Sequence, residues 1–142
     1  DTRLEAEGAE FLVLGQLLLH RIPSYKTYTN MPGYDLVATN PDTGRSARIQ
    51  VKSRWRTNAP GFLIKNLDCE FVVAATLNRG SKTRKAEVRP PQYFVLPKPL
   101  VESVLDTNTW SKVKFRDIDG IEAYENAWHL VADFLVDGSH GP

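Results

Sequence analysis

The chain has 142 residues and a formal net charge of +1, which fits one domain of ordinary size with its own hydrophobic core. No run of about 18 apolar residues is present, which excludes a membrane-spanning helix, and a single cysteine, Cys69, excludes an intramolecular disulfide and a cysteine-based zinc centre. The near-neutral total hides a segregation: between Arg45 and Arg89 stand eleven Lys or Arg against three acids, +8, and the rest of the chain carries −7.

Thr2-Arg3-Leu4-Glu5 matches a capping box, so a helix is expected from Thr2 to about His20, where Ile22-Pro23 ends it. Leu4, Phe11, Leu14, Leu17 and Leu18 define its expected apolar face, and Glu7 and Glu10 fall within that face. A carboxylate there is costly unless a cation, a metal or donors meet it, although a glutamate at the edge of the stripe also reaches water. The longest apolar patch, Phe11 to Leu19, is interrupted by Gly15 and Gln16 and lacks the pattern of a signal peptide. A cytoplasmic location and no membrane partner are therefore expected.

Tyr25 to Thr29 favours a strand, and Asn30-Met31-Pro32-Gly33 breaks it. Two strand-forming runs follow, Gly33 to Asn40 and Arg45 to Ser53, joined by Pro41-Asp42-Thr43-Gly44, the pattern of a β-hairpin. With the turn centred between Asp42 and Thr43, Asn40 faces Arg45 and Asp35 faces Gln50. Directly opposed residues lie roughly 4.5–5.5 Å apart at Cβ. Lys52 shares the face of Gln50 because strand side chains alternate, so an acid, an amide and an ammonium converge, while Leu36, Ala38, Ile49 and Val51 supply the core face.

Arg54 to Gly61 reads as a loop or a twisted strand end, and Phe62 to Lys65 as a short strand. Phe71 to Thr76 is a continuous apolar run, the mark of a strand buried on both faces. A basic loop, Asn78 to Lys85, leads to another buried strand, Tyr93 to Leu96. Pro99 to Leu105 reads as a short helix, with Pro99 in its first turn. Thr107 to Arg116 is either loop or edge strand. A last helix is expected from a cap at Asp119, with Ile121, Tyr124, Trp128, Val131 and Leu135 on one face and Asp137-Gly138 at its end. This order predicts an α/β or α+β layer structure, a mixed sheet flanked by helices in a single domain, 1–142.

Several motifs fail on inspection. Gly80-Ser81-Lys82-Thr83 lacks the spacing and upstream glycine of a phosphate-binding loop. His20, His129 and His140 have no metal-ligand spacing and read as a helix end, an exposed helix face and a loose tail. Cys69 has no partner for nucleophilic chemistry. What survives is Glu10 or Glu7 on the first helix with Asp35, Gln50 and Lys52 on the hairpin. Carboxylate and amide oxygens suit a hard cation, Mg²⁺ above all, and a lysine beside one can orient an attacking water and stabilise charge on a phosphoryl group. The clustered cations fit a phosphate-rich partner, or a plain solvated basic surface.

The helical Glu10, the strand Asp35 and the Gln50-x-Lys52 element resemble the PD-(D/E)XK nuclease superfamily, whose usual pattern is a helical Glu, a strand Asp and a hairpin (Glu/Gln)-x-Lys. Gly33-Tyr34 stand where the superfamily's name has a proline, and Gln50 stands for the commoner acid. The interval from Glu10 to the helix end favours it over Glu7. The resemblance implies a restriction-endonuclease-like core and Mg²⁺- or Mn²⁺-dependent hydrolysis of DNA. Glu10, Asp35 and Gln50 would hold the metal, Lys52 would position water, and Arg54, Arg56, Lys82, Arg84 and Lys85 would contact phosphates. A homodimer would let such an enzyme cut both strands. A non-catalytic nucleic-acid- or protein-binding module on the same fold, or a surface polar ladder, are the competing readings. The superfamily's second helix has no room between Lys52 and Phe71, where Pro60-Gly61 interrupts the chain.

Overall fold

The computed structural model describes residues 2–28, 33–108 and 110–140. Helix α1 (Thr2–Leu19) leads into β1 (Ser24–Lys26), the hairpin β2 (Leu36–Thr39) and β3 (Ser46–Arg54), then β4 (Gly61–Leu63), β5 (Phe71–Thr76) and β6 (Gln92–Pro97). Helix α2 (Lys98–Val104), β7 (Lys112–Lys114), two 3₁₀ turns and α3 (His129–Asp137) complete the described chain. The central sheet has the order β1-β2-β3-β5-β6, with β3 and β5 parallel and the other neighbours antiparallel. It is a mixed sheet flanked by helices, the α+β layer structure that the element order predicts. No helix among the described residues is long and apolar enough to cross a membrane.

The hairpin has the expected register. Leu36 pairs with Ile49 and Thr39 with Ser46, and Asn40 N–H donates to the Arg45 carbonyl at 3.0 Å. Gly44 takes φ 75°, a left-handed conformation that favours glycine. Strand β5 is buried at every residue because it pairs on both edges and is covered on both faces, which explains its unbroken apolar run. One face of the sheet, with Leu36, Ala38, Ile49, Phe71, Val73 and Val95, packs on α1 and α3. The other, with Val72, Ala74, Phe94 and Leu96, meets Phe62 of β4, Val101 of α2 and Val113 of β7. Strands β4 and β7 form their own two-stranded sheet, so the ambiguous Thr107 to Arg116 stretch contains a real strand, and β4 occupies the connection where no long helix was expected.

Four expectations are corrected. The buried stripe of α1 is Ala9, Val13 and Leu17, while Leu4, Phe11 and Leu18 are 74%, 49% and 51% exposed. Of the expected face, Leu17 is buried and Leu14 packs partly on the core; the smaller Ala9 and Val13, at four-residue spacing before Leu17, complete the contact in place of Leu4, Phe11 and Leu18. Thr2 is the first helical residue, and Glu5 pairs with Lys82. The predicted C-terminal helix is divided into a 3₁₀ turn, Ile121–Tyr124, and α3. Between them Glu125 bridges to Phe94, Asn126 N–H donates to the Tyr93 carbonyl at 2.8 Å, and Asn126 has φ 54°. Hydrogen bonding to the outer edge of β6 replaces the helix there. Gly138 caps α3 with φ 79°, as Asp137-Gly138 predicts. His140 is no loose tail: its ring lies 4.7 Å from Phe134 and 5.5 Å from Phe71, centroid to centroid.

Candidate nuclease-like site

The open end of the hairpin is closed by a side chain. Asp35 N–H donates to the Ile49 carbonyl at 2.8 Å, and the Asp35 carboxylate accepts the Val51 N–H, also at 2.8 Å. Thr27 of the preceding segment donates both its N–H and its hydroxyl to the Asp35 carbonyl at 3.0 Å. Upstream, Gly33 takes φ 90°, and a Cβ there would lie 2.6 Å from Asn66 Oδ1. The backbone around Asp35 is thus fixed on three sides. Burial raises the Asp35 carboxyl above its usual range, against the Val51 hydrogen bond and the opposing charges of Lys52 and Lys26.

The paired register ends at Leu36 and Ile49, and Asp35 bonds to Ile49 and Val51 on either side of Gln50; the Gln50 Oε1 is buried with no hydrogen-bond partner. An unmet buried amide oxygen costs about 1–3 kcal/mol, so such a group calls for an explanation. Lys52 is half-buried; burial lowers its ammonium from the usual range, with Asp35 opposing that effect. Across from this edge, α1 supplies Glu10, with a side chain only 15% exposed, against 50% for Glu7. Both carboxylates hold one ammonium, Lys26 Nζ, at 2.5 and 3.2 Å respectively. Burial raises the Glu10 carboxyl and the charge of Asp35 adds to the rise, although the hydrogen bond from Lys26 works against it.

From Lys52 a cleft of about 690 Å³ runs between the end of β3, the start of α1 and the basic loop. Arg54, Arg56 and Lys82 line it together with Trp55. Arg54 donates to the Gly61 carbonyl, which fixes its guanidinium, and burial next to Arg56 lowers its pKa. Lys82 pairs with Glu5 and sits 5.1 Å from the Trp55 ring centre. Arg84 and Lys85 stand exposed in the neighbouring loop, outside the cleft lining.

The structure therefore places Asp35 within electrostatic reach of both Glu10 and Lys52, and one cleft joins three of the five predicted phosphate contacts to Lys52. Lys26 and Trp55 are additions that sequence reasoning missed. The sequence held one indirect signal for Lys26, two carboxylates on α1 that call for a cation, but nothing in Tyr25-Lys26-Thr27-Tyr28 names it: the lysine side chain is 7% exposed between tyrosines at 54% and 84%. Among the described residues no three His, Cys, Asp or Glu side chains are placed to hold a metal. The donors on hand are two carboxylates and an orphaned amide oxygen, a set that fits a hard, oxygen-seeking cation.

No protein-family model matches the chain, and no curated protein matches it. Among solved structures it is similar to a bacterial homing endonuclease, I-Ssp6803I, at 18% sequence identity and a TM-score of 0.64, over 98% of this chain and 99% of that one. At that identity the likeness is one of fold, and it makes the layered sheet and helices described above a nuclease-like α/β fold along nearly the whole chain.

Proposed function

We propose that this protein is a divalent-metal-dependent endonuclease that hydrolyses DNA phosphodiester bonds, of the PD-(D/E)XK type with a Gln-x-Lys element. The observation that carries this reading is the buried, unpartnered Gln50 Oε1 on the strand of Lys52, which lies in electrostatic reach of the desolvated Asp35 carboxyl and lines a cleft with Arg54, Arg56 and Lys82. The solved homing endonuclease of similar fold supports it.

Glu10, Asp35 and Gln50 would hold Mg²⁺ or Mn²⁺. A cation bound there would supply positive charge to the phosphoryl oxygens. Lys52 has two tasks at the same place: its N–H groups orient the attacking water, and its charge stabilises the phosphoryl group. Burial strengthens both, since charge interactions weaken less in a water-poor site. Arg56 and Lys82 hold flanking phosphates and set the register of the strand without reading its bases. Arg54, tethered to Gly61, contributes a fixed charge, and Arg84 and Lys85 contact phosphates farther along the duplex.

Mg²⁺-dependent nicking or cleavage of DNA is the expected result, with at least a hundredfold loss in Lys52→Ala. Absence of cleavage on duplex, branched and single-stranded DNA with either Mg²⁺ or Mn²⁺ overturns the proposal. Salt-sensitive DNA binding indifferent to chelator and to Asp35→Ala would assign the fold to a binding module instead.

A further inference from the structure

Lys26 has no part in the reaction as described, yet its surroundings are those of a cation site. Its ammonium contacts the carboxylates of Glu10 and Glu7 at 2.5 and 3.2 Å. It also stands 5.6 Å from the centre of the Phe11 ring and 5.8 Å from that of Tyr28. The side chain is 7% exposed, so the charge is held away from water by two acids and two aromatic faces, which attract cations. Glu10, one of these acids, is also a proposed metal ligand, and Asp35, another, lies within the electrostatic reach of the same ammonium.

We propose that Lys26 is an internal competitor for the divalent cation: its ammonium occupies Glu10 until the metal displaces it onto Glu7, so that Lys26 and Glu7 together set the metal affinity. This rests on the reading of Glu10 and Asp35 as metal ligands. The geometry provides for the exchange. Glu7 already holds the ammonium from the solvent side, and the Phe11 and Tyr28 rings flank it there, so releasing Glu10 does not strand a charge in the interior. An ammonium and a divalent cation cannot both sit against Glu10 and Asp35 without repulsion, so each disfavours the other. The two acids of α1 thereby acquire different tasks, Glu10 as ligand and Glu7 as the station that receives the lysine.

The test is Mg²⁺ and Mn²⁺ titration calorimetry on the full chain without DNA. Lys26→Met is expected to tighten metal binding about tenfold, a shift of the size typical for coupled sites, and Glu7→Gln to weaken it severalfold. Opposite signs are diagnostic: a purely structural ion pair predicts two less stable proteins of unchanged affinity, and that result overturns the inference. Should a variant fail to fold, the wild-type chain answers by amine labelling. Reductive methylation of Lys26, read by peptide mass spectrometry, should accelerate on adding saturating Mg²⁺, and an unchanged rate overturns the inference. DNA cleavage with unaltered metal affinity in Lys26→Met removes this inference and leaves the proposed function standing. Absence of both metal binding and cleavage in the wild-type and variant chains removes both.

Discussion

At the level of single residues, the candidate site works against the fold that carries it. Asp35 and Glu10 are pushed above, and Lys52 below, their usual ranges, in each case first by burial. The charged form of each is the costly one at neutral pH. Asp35→Asn keeps an acceptor for the Val51 N–H and removes a desolvated charge. The variant is expected to lose metal-dependent cleavage and, without divalent cation, to melt a few degrees higher at pH 7. A lower melting temperature would mean that the carboxylate stabilises the hairpin as an ion. The sign follows from linkage: a raised carboxyl contributes stability that is complete below its unfolded pKa and is lost as pH rises through the folded one. The advantage of the variant should therefore shrink in acid. Stability given up at a functional centre in this way is common in enzymes.

At the level of elements, α1 makes two contacts of different kinds, the apolar stripe Ala9, Val13 and Leu17 on the sheet and acids on β1. Val13 is fully buried and Leu18 half-exposed. Val13→Ala should cost about 1–2 kcal/mol by denaturant unfolding, while Leu18→Ala should stay within about 0.5 kcal/mol; a reversed order would restore the face expected from the sequence. That face was right at Leu14 and Leu17 and misled at Leu4, Phe11 and Leu18, because a helix this apolar offers more than one stripe and local periodicity does not choose among them. The hairpin, in contrast, was legible to its register, since Pro41 to Gly44 fixes the turn and a one-residue slip would turn Leu36, Ala38 and Ile49 to the wrong side. Strand β5 was legible for the same reason that it is central: only a strand covered on both faces reads Phe-Val-Val-Ala-Ala-Thr. The break before α3 was not legible, because its cause, the Asn126 bond to Tyr93, is a long-range partner invisible to local spacing. Hairpin register and alternation were enough to single out Asp35, Gln50 and Lys52 as candidates. Lys26 was not legible, as its role depends on a helix face that was partly misread.

At the level of the whole molecule, the segregation of charge becomes partly spatial: Lys52, Arg54, Arg56 and Lys82 line one cleft at the end of β3, while Arg48 is paired with Asp68 and Glu70. Binding to DNA should therefore weaken steeply with salt, and replacing Arg56 and Lys82 together by alanine should reduce the slope of log K against log salt by about 2. An unchanged slope would place the DNA elsewhere. Cys69 offers a view of the same assembly. It is 1% exposed at the start of β5, its thiol is within hydrogen-bonding reach of the Gln50 backbone, and burial, reinforced by Glu70, pushes its pKa up to about 11. Its raised value means stability that is complete below the unfolded thiol pKa and lost as pH climbs through about 11, so alkaline unfolding should begin near there. Below that pH the thiol is protonated and sealed, and only a molecule whose sheet has opened can be alkylated. The single cysteine is thus a clock for opening: one modification per chain, timed beside the strand that carries Gln50. Any cation held at Gln50 should slow that clock in proportion to its occupancy, which turns a buried side chain with no chemistry of its own into a meter for ligand binding.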